Sequence, residues 1–299
     1  MVVPNRPTSG SALRHSYSAH KEWNSRPHPD CCIVILRAEL MRPTFTYVVI
    51  DTLNYELSNY ALQKSQERFP VSHALIFSDD PARWPGHSII DINEIRSTAD
   101  YNRVIFFELP KYLETEYAIF IQYDGYVLSG AHFLEFFLNY DYIGAPWPHH
   151  QDFNVGNGGF SMRSARLINA VQNFILPDDL NSAEDVVICR YLRARLEDKI
   201  ALKFASKSVA EKFSFEMTKV SHQTFGFHGL FNLPSIMQED IQILFDNLQP
   251  KTAIRFFRAF RDACEALPPP SRELFYNYCK SHSNELIQAA QAVANQRSA

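Results

Sequence analysis

The chain has 299 residues, 46% of them hydrophobic and 21% charged, and a formal charge of -4 at pH 7. That is enough chain to bury a large α/β core, and the acidic balance gives no global attraction for nucleic acid, so no nucleic-acid partner is expected. No apolar run approaches the roughly 18 residues of a membrane span, so no transmembrane segment is expected either.

The five cysteines, at positions 31, 32, 189, 264 and 279, form no CxxC pair. With no secretory signal in view, they fit idle thiols in a reducing compartment, which points to the cytoplasm. The 23 Phe and 14 Tyr suit either a core built of large rings or aromatic platforms beside a flat ligand.

Residues 1–30, rich in Ser, Pro, His and Arg, read as a flexible tail, with order expected from Cys31. Phe45–Asp51 is a β-branched and aromatic run of strand length. Asn54–Arg68 follows with helical spacing, and Ser72–Phe77 reads as a second strand. Strand, helix and strand in this order predict a mostly parallel sheet with helices on its faces. Tyr101–Leu113 has a helical pattern interrupted at Pro110. Tyr117–Gln122 is apolar almost throughout, as a central parallel strand covered on both faces would be. Ligands bind at the carboxyl ends of such strands, which places Gln122 and Asp124 at the expected edge.

His132–Tyr140 reads as a short Phe-rich helix and Gly144–Pro148 as a rigid turn. Gly156–Arg163 reads as a Gly-rich loop, and Arg163–Phe174 and Ala183–Leu196 as helices. A strand and helical turn are expected over Lys203–Phe213, and a Gly-interrupted loop over Thr224–Leu230. Three helices, Ile236–Asn247, Thr252–Ala266 and Ser271–Val293, complete the chain. The domain reading is a tail (1–30), an α/β domain (31–235) and a helical C-terminal extension (236–299).

Four features carry possible chemistry. Alternate residues of a strand share a face, so Gln122 and Asp124 can address one ligand, and Asp124 can bind a divalent cation against a diphosphate. The alternative is a turn aspartate that caps backbone amides. In Gly156-Asn157-Gly158-Gly159, three glycines in four residues suit a close backbone approach to a ligand, or a positive φ in a tight turn. Asn157 would meet a sugar hydroxyl. Glu184-Asp185 opens a helix, where acids complement the dipole. Equally, Asp185 can serve as a general base, with Glu184 in support. His228, between glycines, is a candidate metal or phosphate ligand, or simply a packed side chain. A basic series, Lys251, Arg255, Arg258 and Arg261, is either a solvated helix face or a surface for lipid headgroups.

These blocks, in order, resemble a family. Ile76-Phe77-Ser78-Asp79, Phe120–Val127, Asp141–Trp147, Gly156–Arg163, Glu184-Asp185-Val186 and Phe225–Gly229 together resemble the glycosyltransferase-like DUF5672 proteins over roughly residues 45–235. That family is itself similar to the GT-A glycosyltransferases. The resemblance implies a GT-A-like α/β fold and a nucleotide-sugar donor assisted by manganese or magnesium. Gln122-x-Asp124 then stands for the Asp-x-Asp metal motif, Glu184-Asp185 for the acceptor base, and Gly158-Gly159 for the loop beside the donor sugar. His228 stands for a late metal ligand. Gln122 departs from the pattern by removing one charge from the metal site.

The expectation is a hexosyltransferase-like enzyme moving sugar, with inversion, from a nucleotide diphosphate-sugar to a carbohydrate, lipid-linked or small hydroxyl acceptor. Thr52, Asp79 and Gln122 would face the base and ribose, Asp124 and His228 the ion, and Trp147 and Asn157 the acceptor. The alternatives are an inactive nucleotide-sugar-binding scaffold, a nucleotide-sugar hydrolase or a phosphotransferase. A peripheral membrane contact through the C-terminal helices would change location rather than chemistry.

Overall fold

Six strands build the central sheet: β1 (Phe45–Ile50), β2 (His73–Ser78), β3 (Ile90–Asp91), β4 (Tyr117–Ile121), β5 (Tyr142–Ile143) and β6 (Phe160–Ser164), in the order β3-β2-β1-β4-β6-β5. This computed structural model describes residues 43–298. The expected tail, Cys31 and Cys32 lie outside them. β1 to β4 pair in parallel, whereas β6 runs antiparallel to β4 and β5 antiparallel to β6. The sheet is therefore mixed, with its parallel half where the sequence placed it.

Period-two alternation sorts each central strand between two cores. Tyr47, Val49, Ile119 and Ile121 face one hydrophobic cluster, and Val48, Ile50, Ala118 and Phe120 face the other. Helix α1 (Tyr55–Arg68) covers the first face. Its entry is fixed by Asp51, whose carboxylate accepts from the amides of Leu53 and Asn54 at 2.6 and 2.7 Å. A buried carboxylate needs such partners.

The expected helix over 101–113 is α2 (Thr98–Arg103), then a π-turn at Val104–Glu108, then a 3₁₀ turn at Leu109–Lys111. The helix expected over 183–196 is also broken. It is a single turn at Glu184–Val186, a π-turn at Val187–Tyr191, closed by Leu192 N–H to Val187 O at 2.9 Å, and then Arg193–Ile200. π-turns inside helices collect at functional sites, and these two follow Tyr101 and Asp185. His132–Tyr140 is not an α-helix but two 3₁₀ turns, Gly130–His132 and Glu135–Asn139. The Phe spacing there reflects rings packed under a loop, with Phe133 and Phe137 centroids 5.7 Å apart.

Beyond residue 232 short helices follow one another: Leu233–Met237, Ile241–Asn247, Pro250–Ala253, Phe257–Glu265, Pro269–Ser281 and Ser283–Ser298. The sequence merges several of these, because 3₁₀ turns at Gln238–Asp240 and Ile254–Phe256 and a break at His282 interrupt what periodicity alone joins. They share the first hydrophobic cluster with the sheet: Leu244, Phe260 and Phe275 belong to it together with Tyr47 and Ile119. Asp240 anchors them to α1, accepting from Tyr60 Oη at 2.7 Å and pairing with Lys64 at 3.3 Å. In the basic series, Arg261 is taken up by Asp262 and Glu265. Among the described residues no helix is long and apolar enough to cross a membrane.

Candidate active site

β4 ends at Ile121, before either residue of the expected metal motif. Gln122 and Gly125 then close a tight turn through reciprocal backbone bonds of 3.2 and 3.0 Å. Gln122 and Asp124 thus meet through this turn and a common neighbour, rather than as alternate residues of one strand.

That neighbour is His228. Its Nε2 lies 3.2 Å from Asp124 Oδ1 and 3.3 Å from Gln122 Oε1. Asp124 Oδ1 is buried, and among the described residues its partner is this ion pair with His228, with no hydrogen bond from any other group. On the other side Nδ1 faces Glu216 Oε1 at 3.0 Å. Burial works against a charged ring, yet Asp124 and then Glu216 hold His228 well above its ordinary pKa. Asp124 is buried, and among the described residues its side chain caps no amide, so the turn-capping alternative does not describe it.

The Gly-rich loop fits closely around these groups. A Cβ on Gly159 would overlap His228 Nε2, one on Gly158 the Glu184 carboxylate, and one on Gly156 the Trp147 ring. The positive φ belongs instead to Asn157, at 74°, a conformation that Asn tolerates. Its Oδ1 accepts from the amides of Gly159 and Phe160 at 3.0 and 3.3 Å, and its Nδ2 lies 3.1 Å from His228 Nδ1.

The acidic pair is divided. Glu184 is buried and bonded to Arg163 Nη2 at 2.6 Å. Arg163, itself buried, lies 3.9 Å over the Phe120 ring. Asp185 is half-buried; its Oδ2 accepts from Gly158 N–H at 3.0 Å and its Oδ1 from Val186 N–H at 2.8 Å. Burial first, and the Glu184 charge second, push the Asp185 carboxyl up to about 7. One acid is neutralised by a partner. The other is poised to exchange a proton near neutral pH.

Most of these residues, though not Arg163 or Gly156, line one cavity of about 540 Å³, together with Tyr101, Trp147, His149, His150, Met217 and Phe256. Asp124 stands behind its wall, against His228. Tyr101 Oη accepts from Gln122 Nε2 at 2.8 Å, fixing the amide so that its oxygen faces His228. Trp147, His149 and His150 form an aromatic group, with His150 5.6 Å from Trp147 and 4.2 Å from His149. Thr52 and Asp79 are not in this lining: Thr52 Oγ1 accepts from Ile95 N–H at 3.0 Å, and Asp79 accepts from Tyr55 Oη at 2.8 Å. Thr52 still acts on the cavity through Ile95, which lines it.

Sequence reasoning missed Tyr101, Arg163, Glu216 and Phe256. Only Arg163 carried a signal, a lone cation in a run destined for a buried strand.

Among the described residues no three His, Cys, Asp or Glu side chains are grouped as a metal site. The donors present are Asp124 Oδ1, His228 Nε2 and the amide oxygen of Gln122. Their spacings of 3.2 and 3.3 Å are close to the roughly 3 Å between neighbouring ligands of a small octahedral ion. One carboxylate, one imidazole and one amide oxygen, three protein donors, fit a small octahedral ion with open positions left in its shell.

The comparisons speak to the same segment. A family model described as "Protein of unknown function (DUF5672)" matches residues 88–228. The DUF5672 match bears out the resemblance read from the sequence blocks, over a narrower span than 45–235. It leaves Ile76–Asp79 outside, and Phe256 with it. No curated protein matches the chain. Among solved structures it is similar to a glycosyltransferase involved in the glycosylation of the major capsid of PBCV-1. That likeness has 11% identity, covers 62% of this chain and 92% of that one, and has a TM-score of 0.42. The mixed six-stranded sheet flanked by helices is compatible with a GT-A-like fold.

Proposed function

We propose that this chain transfers a sugar from a nucleotide diphosphate-sugar to a hydroxyl acceptor, inverting the anomeric carbon. One observation carries the reading: a carboxyl that titrates near neutral pH, Asp185, faces the same cavity as His228, with Asp124 paired to that ring behind it. In the proposed step the acceptor hydroxyl gives its proton to Asp185 as its oxygen bonds to the anomeric carbon. The bond from that carbon to the diphosphate oxygen breaks on the opposite face, and the diphosphate leaves with the electron pair. Glu184 is occupied by Arg163, which leaves the base to Asp185.

Among the described residues the cavity lining includes no Lys or Arg, while it includes Glu184, Asp185 and Glu216. A diphosphate entering this field needs positive charge brought with it. Asp124, His228 and the Gln122 amide are the groups that would hold manganese or magnesium, and the ion would supply charge neutralisation to the leaving group. Gly158 and Gly159 line the cavity with backbone that the donor sugar would meet. Trp147, His149 and His150 offer ring faces and imidazole nitrogens suited to a carbohydrate acceptor.

The test is product analysis with a panel of nucleotide sugars, with manganese, and with and without sugar acceptors. Acceptor-dependent glycoside formation of inverted configuration by NMR supports the reading. Free sugar released equally with and without acceptor would instead identify a hydrolase. Gln122, neutral where the family pattern has an acid, favours a second reading, a nucleotide-sugar-binding scaffold. Manganese-dependent nucleotide binding without transfer to any acceptor would establish that one.

A further inference from the structure

The cleft holds a carboxylate that no motif announced, and the backbone has been built to deliver it. A two-residue parallel ladder joins β7 (Ser214–Phe215) and β8 (Gly226–Phe227), with Phe215 opposite Phe227. The next residue of each strand, Glu216 and His228, therefore leaves the ladder beside the other. His228 N–H donates to Phe215 O at 2.9 Å. Asn232 Nδ2 then donates to both main chains, to Glu216 O at 3.0 Å and to His228 O at 2.7 Å. The phenyl rings of Phe215 and Phe227 stack beneath, 5.9 Å apart. The pairing of the two side chains is thus set by the main chain and does not depend on their charges finding each other.

Glu216 Oε1 lies 3.0 Å from His228 Nδ1, and the two side chains are only 13% and 15% exposed. An ionised carboxylate can only accept, so this bond requires a proton on Nδ1. Asn157 Nδ2 lies 3.1 Å from the same nitrogen. It can only donate, because its oxygen is held by Gly159 and Phe160. The two neighbours therefore demand opposite states of Nδ1. A bond to an ionised acceptor is about twice as strong as a neutral one, so Glu216 prevails.

We infer that Glu216 is a positioning residue: by accepting from the Nδ1–H it fixes the ring of His228, so that Nε2 is the nitrogen presented to Asp124, Gln122 and a bound divalent ion. Nε2 faces two acceptor oxygens, Asp124 Oδ1 and Gln122 Oε1, so without an ion both ring nitrogens carry protons, and the ion takes the place of the one on Nε2. Without Glu216, Asn157 donates to a bare Nδ1, and the ring keeps its single proton on Nε2, where a ligand atom is needed. The ion-binding part rests on the reading proposed above; the Nδ1–H bond to Glu216 does not.

The experiment uses the full chain with Glu216→Gln, Glu216→Ala and Glu216→Ala/Asn157→Asp, each checked for folding by thermal melting. The first readout is imidazole 15N NMR, with His228 assigned by its loss in His228→Gln. The second is manganese affinity by electron paramagnetic resonance, with and without uridine diphosphate. Nδ1 should be protonated in the wild type and bare in Glu216→Ala. Manganese binding should fall about 10–100-fold in Glu216→Ala and less in Glu216→Gln. The double variant should recover part of the loss, because the carboxylate introduced in place of the Asn157 amide can accept from Nδ1. A bare Nδ1 in the wild type overturns the inference whatever the ion does, and so does unchanged manganese affinity in Glu216→Ala. A protonated Nδ1 in a wild type that binds no manganese leaves Glu216 its role and removes the ion from the proposed function.

Discussion

Gly158 donates its backbone N–H to the Asp185 carboxylate over 3.0 Å, while its missing side chain makes room for the carboxylate of Glu184. A single glycine thus sets the position of both acids: it binds one and accommodates the other.

Asp185→Asn can accept from Gly158 or from Val186 but not from both, and it cannot take a proton. Transfer should fall by about 10²–10⁴-fold, with donor affinity nearly unchanged. Steady-state kinetics together with nucleotide binding on material free of wild-type enzyme will check this. Near-normal turnover would remove the base assignment.

The pH dependence follows from the same carboxyl. Its folded value, about 7, lies above the usual 3.8. Between those values the folded chain binds the extra proton, so this group's contribution to stability is present at low pH and lost as pH rises through 7. Asp185→Asn should accordingly melt above wild type at pH 8, on the order of 3–6 °C, with the gap closing near pH 4. The ratio kcat/KM of the wild type should rise through about pH 7 and level off. A profile flat from pH 5 to 8 would contradict the assignment.

Arg163→Met strands the buried Glu184 carboxylate. Breaking such a pair costs about 3–5 kcal/mol, so chemical denaturation should show a loss of that size. Arg163→Met/Glu184→Leu should regain most of it, because no lone charge then remains in the core. A double variant no more stable than the single one would mean that packing around Phe120, rather than charge, dominates.

Gln122→Glu restores an acid beside Asp124 and His228. Tyr101 Oη, which now accepts from Gln122 Nε2, can rotate its hydroxyl to donate to the new carboxylate. Manganese affinity, read by calorimetry with uridine diphosphate, should rise about tenfold or more. An unchanged affinity would place the ion away from this turn, or exclude it.

Gly159→Ala would press a methyl group into the His228 ring. We expect weakened manganese binding and loss of transfer with a modest change in melting temperature. Wild-type behaviour would show that His228 can move without consequence.

The β-branched and aromatic run of Phe45–Ile50 and the unbroken apolar run of Tyr117–Ile121 announced central strands, the second covered on both faces, and Gln122, Asp124, Asp185 and His228 were legible as an ordered set. What periodicity could not show was tertiary. The π-turn after Asp185 looks like plain helix, since insertion of one residue into a turn leaves the apolar pattern nearly intact. The glycines of 156–159 suit, from sequence, a close approach to a ligand or a positive φ; all three are close approaches, but to Trp147, Glu184 and His228, and the unusual φ falls to Asn157. Glu216 and Phe256 had no local signature, because each enters the cleft through partners distant in sequence: a two-residue ladder for one, and a late helical segment for the other.

Phe256 also bears on any attempt to trim the protein. It borders the cleft from a segment that begins well past residue 228, and Leu244, Phe260 and Phe275 lie in the same oily layer as Tyr47. A version cut back to the stretch matching the family would lose β1 and β2 from the sheet as well as one side of its binding chamber. Such a fragment should precipitate rather than turn over substrate, and the smallest working unit extends into the late helices.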